Sequence, residues 1–180
     1  MSPRHPALRD VLLSGDEIAA RVAALGREIT ETYAGRELAI TCVLKGGFIF
    51  LADLVRAIEV PCTMDFMVIS SYGMGTRSSG VVRILKDLDA PIEGKDVLVV
   101  EDIVDSGLTL SYLLRNLETR RPASLEVCSL LSKPGRHDND VPIRFVGFEI
   151  PDDFVVGYGL DAGERFRELP EIWSVDETRL

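Results

Sequence analysis

Cysteine is scarce in this chain: Cys42, Cys62 and Cys128 are its three, an odd number in apolar surroundings with no paired metal spacing. That excludes a disulfide scaffold, and the three read as reduced core thiols of a cytoplasmic protein. Long apolar runs are missing too, because the best candidate, Phe48 to Val55, is broken by Asp53 and cannot cross a bilayer. The first ten residues mix Arg4, His5, Arg9 and two prolines, and lack the apolar stretch of a signal peptide. Positive charge is in deficit, with 20 Lys and Arg against 29 Asp and Glu, a net charge of −9 and a pI near 4.8. Such a field repels nucleic-acid backbones and anionic membranes, so neither is an expected partner, and any phosphate must be held by local devices. Two common nucleotide motifs are also absent: no Gly-x-Gly-x-x-Gly follows a strand, and no Gly-x-x-x-x-Gly-Lys-Ser/Thr occurs.

What is present is an ordinary globular composition, 46% hydrophobic and 27% charged, in 180 residues that suit one domain. Ile18, Val22, Leu25 and Ile29 recur at helical spacing behind Ser14 and Asp16, so a helix is expected over Ser14 to Tyr33, ending near Gly35. A strand over Leu38 to Leu44, a break at Lys45-Gly46-Gly47 and a helix over Phe48 to Ile58 follow. Thr63 to Ser70 reads as a strand, and Ser71 to Gly80 as a mobile loop too polar and glycine-rich to pack. After Val81 to Lys86 and a turn at Ala90 to Gly94, Val97 to Val100 forms a continuous apolar strand before a helix from about Leu108 to Leu117. Strands at Leu125 to Leu131 and Ile143 to Phe148 complete the alternation. It predicts an α/β fold, a mainly parallel twisted sheet flanked by helices. The tail from Pro151, with a short strand at Phe154 to Tyr158, is expected to cap the site. The whole is then a single domain, its core spanning about 36–150 and a small hood about 1–15 and 151–180.

The chemistry concentrates in Val97-Leu98-Val99-Val100-Glu101-Asp102-Ile103-Val104-Asp105-Ser106-Gly107-Leu108-Thr109, where an apolar strand runs into two adjacent carboxylates. In open α/β sheets ligands collect at the carboxyl ends of strands, and the following helix offers unpaired N–H groups to an anion. Asp105 to Thr109 supplies a glycine, two hydroxyls and successive amides, enough to wrap a phosphate monoester without a lysine. Glu101 and Asp102 beside it suit the vicinal hydroxyls of a ribose, directly or through a divalent cation. The residues thus describe a site for a ribose phosphate.

This run resembles the phosphoribosyl diphosphate signature of the hypoxanthine-guanine phosphoribosyltransferase family, of the type I phosphoribosyltransferase fold. The resemblance extends to Leu44-Lys45-Gly46-Gly47, Ser70-Ser71-Tyr72-Gly73, Lys133-Pro134 and Phe154-Val155-Val156-Gly157-Tyr158-Gly159-Leu160-Asp161, in that order. It implies a magnesium-dependent enzyme of purine salvage, a dimer or tetramer, that joins hypoxanthine or guanine to 5-phosphoribosyl diphosphate. Glu101 and Asp102 would hold the ribose hydroxyls and their metal shell. Asp105, Ser106, Gly107, Leu108 and Thr109 would bind the 5′-phosphate, with Asp105 also the general base at purine N7. Lys45 and Gly46, after a peptide that is often cis in the family, would face the diphosphate together with Arg167. Ser71 and Tyr72 would open a loop that closes during reaction and excludes water. Lys133 would donate to the exocyclic O6, Phe154 would stack on the base near Ile103, and main chain at Val155 or Asp161 would meet its edge. Asp161 would hold a second magnesium. Two departures stand out: Ala162 where many members carry an aromatic, and an end from Trp173 to Leu180 unlike a fixed pattern. A regulator of the same fold that binds RNA would need a basic patch, for which Arg115, Arg120 and Arg121 are the only tight cluster.

Overall fold

The computed structural model describes residues 5–71, 82–134 and 141–180. The expected first helix is α1 (Gly15–Thr32), and its start follows from a reciprocal cap. The Glu17 amide donates to the Ser14 hydroxyl, while the Ser14 amide donates to the Glu17 carboxylate at 2.9 Å. Ile18, Val22, Leu25 and Ile29 turn one stripe of α1 into the core, as their spacing requires. On that stripe Gly26 lies against the last residue of α2 (Phe48–Ala57), where an added Cβ would strike the Ala57 carbonyl and side chain. The two helices are therefore as close as backbones allow. Gly26→Val should cost about 2–3 kcal/mol by overpacking, and a thermal melt should show a loss of roughly 5–10 °C.

The main sheet has six strands in the order β4-β3-β2-β5-β6-β7. These are β2 (Leu38–Leu44), β3 (Cys62–Ser71), β4 (Val82–Lys86), β5 (Asp96–Val104), β6 (Ser124–Ser132) and β7 (Phe145–Glu149). All neighbours pair in parallel except β4, which runs antiparallel on the β3 edge. Parallel strands need crossover helices on the faces, and α1 and α2 cover one face while α3 (Leu108–Glu118) covers the other. Strand β5 alternates between the two cores, Leu98 and Val100 on the α1/α2 side, Val97 and Val99 on the α3 side. At the free edge of β7, Arg21 of α1 donates to the Val146 and Gly147 carbonyls at 2.6 and 3.0 Å, tying helix to sheet. Cys42 and Cys128 are buried free thiols, and Cys62 is half-buried.

The sequence placed the end of the fourth apolar run at Val100, whereas β5 continues to Val104 with Glu101 and Asp102 inside it. Pairing with β2 stops at Cys42 opposite Val100, but β6 carries on with Ser129 opposite Glu101 and Ser132 opposite Val104. Past the acidic pair the alternation inverts, with Ile103 now against the α1/α2 core and Val104 in the α3 core. The carboxylates thus sit on a strand supported from one side only, beside the gap left where β2 stops pairing with β5.

A second sheet was not foreseen in this form. Strand β1 (Leu8–Leu13), β9 (Ile172–Val175) and β8 (Val155–Val156) make a three-stranded antiparallel sheet in the order β1-β9-β8. The expected strand at Phe154 to Tyr158 shrinks to two residues because Gly157, at φ 102°, turns the chain away. Trp173 and Val175 of β9 fill a small separate core with Ala7, Val156, Ala162 and Phe166. Ala162 is 8% exposed there, packed into this small core. No helix among the described residues is long and apolar enough to cross a membrane.

Candidate active site

The Asp105-Ser106-Gly107 turn links β5 to α3 and opens the helix with Gly107 in a left-handed conformation, φ 73°. A glycine there lets the chain reverse without a Cβ clash. Gly107 contributes no side-chain cap to α3, and the first amides of any helix lack partners within it. Leu108 N–H reaches only the Ser106 hydroxyl, at a long 3.5 Å. These amides and the positive end of the helix dipole border a cavity of about 180 Å³ whose lining includes Glu101, Asp105, Ser106, Gly107 and Thr109. Leu108 is an exposed side chain whose backbone serves the turn. A larger cavity, about 350 Å³, lies at the opposite, amino ends of the strands, beside Arg36, Glu37, Lys95 and Asp96. Its Arg36 and Asp96 already pair at 2.9 Å, and it is remote from the helix terminus.

Burial pushes Glu101 well above the usual carboxylate range, and the neighbouring Asp102 pushes it further. Asp102 is raised by burial as well, opposed by the Ile103 amide, which donates to its Oδ1 at 2.8 Å, and by the field of Arg167. A divalent cation or a pair of sugar hydroxyls would relieve both carboxylates. Among the described residues no group of three or more His, Cys, Asp or Glu forms a protein-only metal cage. Magnesium takes one or two carboxylates and completes its shell with water and substrate phosphates, a demand that the Glu101 and Asp102 pair fits.

The Lys45 loop closes on this pair. The Leu44–Lys45 peptide is cis. Gly46 faces Asp102 so closely that a Cβ would fall within its carboxylate, and Gly159 in turn packs against the Gly46 carbonyl. Lys45 Nζ donates to Glu164 Oε2 at 3.1 Å. Arg167 donates to the Gly159 carbonyl at 2.7 Å and pairs with Asp161 at 2.8 Å and with Glu164 at 3.3 Å. The Asp161 carboxylate also accepts from the Glu164 amide at 2.8 Å, so both of its oxygens are engaged. The turn carrying Gly159 is held from outside by Tyr158, whose hydroxyl donates to Asp53 on α2 at 2.6 Å.

On the other flank, Lys133 follows β6, and its amide donates to the Val104 carbonyl at 3.0 Å. Its side chain is 9% exposed, with the ammonium 3.5 Å from Asp152 and 3.9 Å from Asp105. A nearly buried cation between two carboxylates is well placed to donate to a ligand between them. Phe154 is 40% exposed, so it is not the core residue such a side chain usually becomes. Val155 is buried in β8, and Ile103 is half-buried.

The structure therefore gathers Glu101, Asp102, Asp105 to Thr109, Gly46, Lys45, Asp161, Arg167 and Lys133 at the carboxyl end of the sheet. Ser71 ends β3, and Tyr72 lies outside the described residues. Four participants were missed: Glu164, Asp152, and the Tyr158–Asp53 pair. The two acids and Asp53 carry no signal that separates them from solvated charges. Gly-Tyr-Gly at 157–159 could have flagged an aromatic held in a strained turn, and Tyr158 indeed has φ 49°. In the would-be basic patch, Arg120 pairs with Asp87 at 2.8 Å and Arg121 with Glu93 at 2.7 Å.

A mostly parallel sheet with an acidic strand end, a glycine-opened helix and a lysine just past the next strand defines a class that comparison then identifies. The phosphoribosyl transferase domain model matches residues 9–162, and the chain belongs to that family. Within it, the hypoxanthine-guanine phosphoribosyltransferase of Mycobacterium avium is 55% identical over 98% of this chain and 93% of the relative. The hypoxanthine phosphoribosyltransferase of Salmonella typhimurium is 53% identical over 92% and 94%. Among solved structures, a hypoxanthine phosphoribosyltransferase from Staphylococcus aureus superimposes with a TM-score of 0.93 at 43% identity, covering 98% of this chain and 96% of that one. The fold is that of the type I phosphoribosyltransferases.

Proposed function

We propose that this chain transfers the 5-phosphoribosyl group from 5-phosphoribosyl diphosphate to hypoxanthine or guanine, giving the purine mononucleotide and diphosphate. The observation that carries this reading is the buried Lys133 ammonium, 3.9 Å from Asp105 at the mouth of the phosphate turn. It puts a donor suited to a 6-oxo group and an acceptor suited to N7 on one side of a ribose-phosphate cradle. Phe154, exposed beside β8, supplies a face for the base, while the small sheet of β1, β9 and β8 serves as a hood over it. Main chain at Val155 or Asp161 would meet the base edge, and Ile103 its flank.

In the reaction a bond forms between purine N9 and sugar C1 as the bond from C1 to the diphosphate oxygen breaks. The electron pair leaves with diphosphate, and the base loses one proton. Asp105 takes or shares that proton at N7. As positive charge builds on the ribose, the carboxylates of Glu101, Asp102 and Asp105 lie near it. The 106–109 turn holds the 5′-phosphate by amides and hydroxyls, and Lys45, Gly46 and Arg167 line the diphosphate side. Glu101 and Asp102, with the sugar hydroxyls, would hold one magnesium and Asp161 a second on the diphosphate side, and the ions would offset the leaving group's charge. The loop expected to open at Ser71 and Tyr72 and to exclude water lies, beyond Ser71, outside the described residues. We expect self-association into a dimer or tetramer in the cytoplasm, and sizing chromatography checks the oligomeric state.

The test is a steady-state comparison of hypoxanthine, guanine, xanthine and adenine in wild type and Lys133→Met. Wild type should use the first two, and the variant should lose roughly 10- to 100-fold in kcat/KM for them while its poor adenine rate hardly changes. A preference for adenine in the wild type would sink the reading.

A further inference from the structure

Two cations on the diphosphate side come from segments far apart in sequence, the loop after β2 and the turn before β9. Both converge on one oxygen. Glu164 Oε2 accepts from Lys45 Nζ at 3.1 Å and from Arg167 Nη2 at 3.3 Å. One oxygen shared by an ammonium and a guanidinium is the arrangement a phosphate oxygen would adopt there. The turn that presents Glu164 is well defined. Glu164 itself has φ 65°, its amide donates to Asp161, and Ala162 and Arg165 exchange backbone hydrogen bonds at 3.1 and 3.2 Å.

We propose that the Glu164 carboxylate is an internal stand-in for the leaving diphosphate, holding Lys45 and Arg167 while the site is empty and yielding them to the incoming group. The inference rests on the reading of this flank as the diphosphate site. Lys45 and Glu164 are each 65% exposed, so the pair is weak and exchangeable, as a placeholder must be. Arg167 does not depend on it, because Asp161 and the Gly159 carbonyl hold the guanidinium at 2.8 and 2.7 Å without Glu164. Removing the Glu164 charge should therefore leave Arg167 anchored and release both cations from this competitor. In the wild type the carboxylate competes with diphosphate on entry and reclaims both cations as the product departs, lowering affinity for substrate and product alike. Its amide nitrogen and side chain divide the work: the amide fixes Asp161, the carboxylate guards the cations.

Isothermal titration of inorganic diphosphate, with magnesium present, into wild type, Glu164→Gln and Glu164→Ala tests this directly. Both variants should bind diphosphate roughly three- to tenfold more tightly than wild type, the range expected when one or two exposed ion pairs no longer compete. The gap should narrow at higher ionic strength, because the competitor is a charge near the surface. The KM for phosphoribosyl diphosphate should fall in step, with the KM for hypoxanthine unchanged. Equal or weaker diphosphate binding in both variants, with melting temperatures like that of wild type, overturns the proposal and makes Glu164 a support for the site instead. Wild-type protein that takes up neither diphosphate nor phosphoribosyl diphosphate would remove the underlying reading, a result distinct from a wild type that binds and variants that do not differ.

Discussion

Asp105→Asn should bind phosphoribosyl diphosphate within about threefold of wild type and yet lose roughly 10²- to 10⁴-fold in kcat with hypoxanthine, the range general base catalysis supplies. The amide is the same size, sits in the same turn between Val104 and Gly107, and leaves the 106–109 amides untouched. What it cannot do is accept the proton that the base must shed. The surrounding structure also tolerates the change. Lys133 keeps its second carboxylate, Asp152, at 3.5 Å, so the buried ammonium is not stranded by loss of the Asp105 charge. Binding by calorimetry and turnover by steady-state assay separate the possibilities. Unchanged turnover would remove Asp105 from proton transfer, and a loss of phosphoribosyl diphosphate affinity matching the loss of rate would make it a ligand of the sugar phosphate alone.

The 105–109 turn was legible from residue types because its geometry is local: a strand end, a glycine at positive φ and a helix start fall within a dozen consecutive residues. Glu101 and Asp102 were visible for the same reason. Their position inside β5 was not, because it depends on β6 continuing to pair after β2 has stopped, a fact about neighbours and not about the run itself. The alternation that sequence reading uses also inverts at this pair, which ends the period on which a longer strand could have been recognised. Strands β1 and β9 escaped for a different reason. Each is short, and the contact that makes them strands joins Leu8 to Val175 across nearly the whole chain. Arg167 and Asp161 look like surface charges by themselves, and only the resemblance singled them out. The Lys45–Glu164–Arg167 arrangement could not be read at all, since it exists only once the β2 loop and the turn at 159–167 meet.

That meeting is decided by glycines, and it sets the second large effect. Gly46→Ala should lower kcat/KM for phosphoribosyl diphosphate by about 10²-fold or more. The new Cβ would lie within the Asp102 carboxylate, and Asp102 has little freedom to retreat because Ile103 N–H holds its Oδ1 at 2.8 Å. The loop cannot lift away easily either, since Gly159 is pressed on the Gly46 carbonyl from the other side and the Tyr158–Asp53 hydrogen bond anchors that turn to α2. One of the two layers must shift by an ångström or so, and a shift of that size at a reacting geometry costs on the order of a hundredfold. The fold should survive, because Gly46 lies outside the packed cores, and Tm should fall by no more than a few degrees. Affinity should divide by ligand: phosphoribosyl diphosphate, which must place its diphosphate against the displaced loop, weakens strongly, whereas a purine mononucleotide, which has no diphosphate and keeps the 106–109 turn, Lys133 and Phe154 besides its ribose contacts to the acidic pair, weakens less. Equal losses for both ligands would show that the substitution acts through Asp102 and the ribose, and wild-type kinetics in Gly46→Ala would mean that the close approach of loop and carboxylate has no part in holding the leaving group.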